Sequence, residues 1–153
     1  LYLVYIFTLC VIWPEKGPRI PPEPGDPGFG EKLWISTRNL VPPLLMIFAV
    51  YLYAASGMKT RMTRVIRHPQ LTAVKTWSVA HLLVNGDLAS LILFGGLLAW
   101  AVLDLIFINK MQPVWDRPKA GPVYFDVLHL VVAVLIMGVI GMIHARLGYP
   151  VFG

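Results

Sequence analysis

His68, His81, His129 and His144 are the side chains of this 153-residue chain best suited to bind a metal ion or cofactor, because neutral imidazole is a ligand at ordinary pH. His81 is the most informative of the four. On a helix, Gln70, Val74, Trp77, Ser78 and Asn85 all fall within about 60° of His81, which makes one partly polar face. Inside a bilayer such a face must turn toward other helices or a cavity, since lipid offers no hydrogen-bond partner. His81 is therefore either a packed, hydrogen-bonded interior histidine or a ligand, and Trp77 and Asn85, one turn away on either side, suit both readings. His129 and His144 are 15 residues apart, or about 22 Å along a helix, so they cannot hold one ion together. A metal shared by two of the four histidines is expected to use His81 and His129, whose estimated depths match. His144 falls near the opposite surface and His68 in a basic stretch, solvated or facing phosphate. No general acid or base stands out, and no residue is assigned a catalytic role. The only cysteine, Cys10, cannot form an internal disulfide.

The apolar balance of the chain decides what surrounds these residues. Hydrophobic residues make up 57% and charged residues 14%, with a net charge of +5 and a mean hydropathy of +0.68. A soluble domain is about half apolar and about a quarter charged. Soluble-enzyme, disordered and disulfide-scaffold classes are thereby excluded. The expected architecture is an all-α, polytopic membrane bundle of about five helical segments, a single domain over residues 1–153. Its excess of base fits cytoplasmic loops and calls for no nucleic acid.

Residues 1–13 are apolar throughout but shorter than the roughly 20 residues a span needs. They lack the basic flank and small-residue cleavage site of a signal peptide, and are expected to be the second half of a truncated helix. Residues 14–39 carry six prolines, Pro14, Pro18, Pro21, Pro22, Pro24 and Pro27, interleaved with glycines, and predict an extramembrane loop without helix. A second span is expected over 40–57, with Pro42 and Pro43 in its first turn. A third apolar segment, 71–84, is only about 21 Å long. Two clean spans follow over 88–108 and 123–147.

Loop charge orients these spans. Lys59, Arg61, Arg64 and Arg67 meet no acid in their loop, and Lys110, Arg117 and Lys119 face only Asp116. Both loops belong in the cytoplasm, with the Pro/Gly loop, the Asn85–Asp87 turn and the C-terminus outside. Asp87 reads as the N-cap of the following span, with Ser90 three positions on. Asp104 either snorkels to the cytoplasmic surface or pairs with a base of the adjacent loop. Gly95 and Gly96, and the row Gly138, Gly141, Ala145 and Gly148, would let neighbouring helices approach closely. The expected partners are therefore the lipid bilayer and, through these small-residue faces, another membrane-protein complex.

The stretch RHPQLTAVKTWSVAHLLVNGDLASLILFGGLLAWAV, residues 67–102, strongly resembles the NnrU family of bacterial membrane proteins. The preceding YLYAASGMKTRMTRVI and the terminal GYPVFG look like the same family, so that the resemblance covers roughly residues 40–153. It implies a multi-pass protein of the bacterial inner membrane, a further N-terminal helix, and a link to nitrite and nitric oxide reduction. The family is also similar to the plastid ζ-carotene isomerases, membrane enzymes that use haem b. Trp77-Ser78-Val79-Ala80-His81 resembles their WxxAH element, which implies His81 as a haem ligand, with Trp77, Ser78 and Asn85 beside the cofactor. Ser78 stands where that branch has a cysteine, so no thiolate is on offer, and the other axial histidine of that branch belongs to the N-terminal helix.

Arg67-His68-Pro69 also resembles an element of membrane methyltransferases that bind S-adenosylmethionine. Leu71 and Ala73 depart from their pattern, and no adjacent acidic pair follows. The leading expectation is haem-associated redox or isomerase-type chemistry; the alternative is a non-enzymatic accessory or assembly subunit, with methyl transfer behind both. Intramembrane ionisable groups are too sparse for an ion relay.

Overall fold

The computed structural model describes residues 29–57 and 60–148. Among them are four α-helices, α1 (Phe29–Ala55), α2 (Pro69–Leu82), α3 (Leu88–Met111) and α4 (Val123–Arg146), one short 3₁₀ turn (Met62–Arg64), and no strand. The expected segment at 1–13 and most of the expected loop lie outside the described residues. Four helices, not five, are therefore in view.

The largest departure is at the start of α1. A helix was not expected before residue 40, yet α1 begins at Phe29. The breakers end with Gly30, and the next eleven residues, EKLWISTRNLV, contain neither proline nor glycine. Pro42 and Pro43 consequently sit in the middle of the helix, not in its first turn. Each lacks the N–H that would bond the carbonyl four residues earlier.

The other boundaries follow local chemistry. Pro69 opens α2 as its first residue, where the missing N–H costs nothing and the ring presets φ. Asp87 caps α3: its Oδ1 accepts from the Ser90 N–H at 2.9 Å and its Oδ2 from the Ser90 hydroxyl at 2.6 Å. The helix then runs to Met111, three residues past the expected end. Beyond α4, Gly148 takes φ +86°, which L side chains rarely adopt, and its N–H returns to the Ala145 carbonyl.

The Ser90 hydroxyl and backbone N–H hold the exposed Asp87 carboxyl below its ordinary range. Its folded-state pKa is depressed, so the stabilisation is complete above the unfolded value of about 4 and is lost as pH falls through the folded value. Amide exchange at Ala89–Leu91 is expected to accelerate below that point. Asp87→Asn should keep slow exchange at neutral pH and remove the acid dependence; Asp87→Ala should exchange fast at both.

Packing places α1 and α2 side by side, α3 against α2 and α4 against α1. Tyr51 and Leu52 of α1 meet Ala73 of α2 and Ala133 of α4 in one buried cluster, flanked by Val50, Met62 and Ile66. On α4 the buried residues are His129, Ala133, Met137 and Gly141, every fourth position, a row that runs along one face. Gly141 thus belongs to the buried seam of α4, while Gly138 and Ala145 are exposed.

Because α3 and α4 flank opposite members of the central pair, the eleven residues between them must cross the end of the bundle. They run without helix or turn, and reach at most about 36–40 Å. Arg67 staples this strap, donating through Nη2 to the carbonyls of Gln112 and Val114. At the same end, Asp126 in the first turn of α4 accepts from the Arg61 backbone N–H at 3.1 Å and lies 3.5 Å from the Tyr51 hydroxyl. The connections over 60–68 and 112–122 are therefore together at one end.

Two helices, α3 and α4, are long and apolar enough to cross a membrane. The core helix of a soluble protein would be mostly buried, whereas their most apolar windows are 11% and 22% buried. Large side chains such as Leu93, Leu103, Phe107, Leu135 and Ile143 are open to the surroundings. Burial inside this chain does not account for that apolar surface, and contact with lipid would.

Candidate functional site

Of the helix face singled out in the sequence, Gln70 and Val74 line a cavity beside Arg67 and His68, and Trp77 lies against the ring of His81. Its Nδ1 lies 3.0 Å from the Trp77 carbonyl. A carbonyl only accepts, so Nδ1 carries the proton and the lone pair is on Nε2. No hydrogen-bond partner for Nε2 is present among the described residues. Phe94, from α3, stacks on the imidazole at 4.4 Å between ring centres, and Trp77 tilts against it at 4.7 Å. Trp77 and Phe94 meet edge-on at 5.0 Å. The result is an imidazole walled by two aromatic rings, with its basic nitrogen left over.

Asn85 contributes to the helix and not to the ring: its amide donates to the His81 backbone carbonyl at 3.1 Å. Ser78 is fully buried, and its Oγ has no hydrogen-bond partner among the described residues. An unsatisfied buried hydroxyl costs about 1–3 kcal/mol. Ser78→Ala is accordingly expected to leave stability unchanged or raise it, read as the midpoint of unfolding in mixed micelles. A loss beyond about 1 kcal/mol would mean that the hydroxyl has a partner.

His129 and His144 share the local geometry of His81, each with Nδ1 on the carbonyl four residues back, Phe125 and Ile140 respectively. His129 is 5% exposed and makes no hydrogen bond or ring contact with His81. Their helices, α2 and α4, are not principal neighbours, because α1 packs against both. His81 lies in the last turn of α2 and His144 in the last turn of α4, and both helices start from the stapled end. No group of three or more metal-donor side chains occurs among the described residues.

The basic motif forms a separate place. His68 Nε2 lies 3.0 Å from Asn109 Oδ1, and Arg67 holds the strap. Asp104 makes no ion pair among the described residues, so the expected pairing with a loop base does not form. It lines a cavity of about 620 Å³ together with Arg67, His68 and Trp100. Sequence reading passed over Asp126, whose partners Arg61 and Tyr51 are 65 and 75 positions away.

The fold and this site define a class: a helical protein with two bilayer-length apolar helices and an aromatic-walled imidazole on a short helix beside them. Residues 29–151 match the family described as NnrU protein. The match starts with α1 and includes all four helices, and the chain belongs to the NnrU family. No curated protein and no solved structure matches it.

Proposed function

We propose that this chain is a multi-pass protein of the bacterial inner membrane that holds haem b through His81 and acts in redox or isomerase-type chemistry linked to denitrification. The observation carrying this reading is the state of the His81 ring. Its Nδ1 proton is committed to the Trp77 carbonyl, which fixes the ring and leaves Nε2 as a donor to iron. The residues fit one axial position in chemistry and surroundings. Phe94 stacks on the ring and Trp77 tilts against it, which braces its plane. Ser78 supplies no thiolate. When bound, haem would supply a one-electron couple whose potential depends on axial ligands and burial; the chain's own part is to bind, orient and exclude water.

The test is an absorption spectrum of the full-length protein purified after expression with ample haem. A Soret band at about one haem per chain supports the proposal, and a colourless protein overturns it.

A second reading, an accessory subunit of a membrane complex, has one observation in its favour. A methyl group added at Gly95, Gly96 or Gly138 would meet nothing within 4 Å. Those close-approach positions are not used inside the chain and are open to a partner helix. A stoichiometric partner retained in mild detergent by a protein without pigment would mark this role.

A further inference from the structure

At the stapled end of the bundle a cavity of about 620 Å³ opens between the end of α1, the start of α2 and the last turns of α3. Its lining is chemically mixed. Arg67 and His68 bring basic groups, Asp104 a carboxylate, Gln70 an amide, and Tyr53 and Trp100 aromatic walls. Two features narrow what it can take. Arg67 and His68 are held in place by Gln112, Val114 and Asn109, so the basic side of the cavity is built rather than mobile. Asp104 makes no hydrogen bond or ion pair among the described residues, so a carboxylate faces the same space with its bonding capacity unspent.

A purely anionic ligand would meet that carboxylate at close range, and a simple cation would meet the guanidinium. A ligand carrying both charges satisfies both: phosphate toward Arg67, ammonium toward Asp104 with the Tyr53 and Trp100 rings alongside. The position agrees with this chemistry. Arg67, His68 and the end of α3 lie where the apolar helices finish and the basic loops begin, the depth of lipid headgroups.

We propose that this cavity binds the headgroup of a phospholipid that carries both phosphate and a primary amine, of which phosphatidylethanolamine is the probe. The inference concerns retention of the lipid and not its conversion. It rests on the membrane reading above and is independent of haem.

The full chain, reconstituted into nanodiscs of equal phosphatidylethanolamine and phosphatidylglycerol and then washed in mild detergent, is expected to retain about one phosphatidylethanolamine per chain. The enrichment over phosphatidylglycerol should be about tenfold, as for a charge-assisted hydrogen bond made to one lipid and not the other. Mass spectrometry of the retained lipid reads the ratio. Asp104→Asn, nearly isosteric, should bring it to parity; Arg67→Gln should lower retention of both lipids. Equal retention by the unaltered chain, or an unchanged preference in Asp104→Asn, overturns the proposal. Soluble glycerophosphoethanolamine should fail to displace the lipid at millimolar concentration; efficient displacement overturns the assignment to a lipid in favour of a free headgroup ligand. Alkaline carbonate separates the two levels of failure: a chain it extracts refutes the membrane reading itself, and a chain it leaves behind without lipid preference refutes only this site.

Discussion

His81→Ala is expected to remove the Soret band of the purified protein completely while leaving its level in the membrane unchanged. The substitution deletes the Nε2 lone pair and the stacking on Phe94, while α2 stays packed on α1 through the cluster that holds Ala73. His129→Ala tests the competing assignment. His129 is buried in the α4 seam without contact to His81, so its loss should affect stability and spare the spectrum. If His129→Ala alone bleaches the protein, the site has been put on the wrong helix.

Leu52→Ala should have the largest effect on stability. Leu52 is 0% exposed and shares one buried cluster with Ala73 of α2 and Ala133 of α4. In lipid the transfer of apolar surface contributes little between helices, but the lost dispersion contacts and the cavity remain. Deleting the side chain is expected to cost about 2–4 kcal/mol, within the range for buried leucines, measured by reversible unfolding in mixed micelles. Leu44, on the same helix and 54% exposed, is the control; Leu44→Ala should cost less than about 0.5 kcal/mol. Similar losses at the two positions would mean that the cluster around Leu52 is not the centre of the bundle.

What could be read from the sequence was what depends on near neighbours. Asp87 and Ser90 are three residues apart, so the cap of α3 is a local pattern. The charge-poor runs of α3 and α4 identify themselves by length alone. The face bearing Trp77 and His81 needs only the helical repeat. The start of α1 was hidden because the prolines of 14–27 coloured the expectation for residues 31–41, which contain none. The role of Asp126 appears only when Arg61 and Tyr51 are brought to it by folding. Asp104 likewise acquires meaning only once Arg67 and His68 form the opposite wall of its cavity.

The docking of α4 on α1 has a consequence for biogenesis. The last of the four helices to emerge from the ribosome is the one that supplies Ala133 to the cluster around Leu52. A nascent chain stalled before residue 123 holds α1, α2 and α3 but presents Tyr51 and Leu52 unsealed. The core face of the first helix must therefore wait for its cover until the fourth has been made.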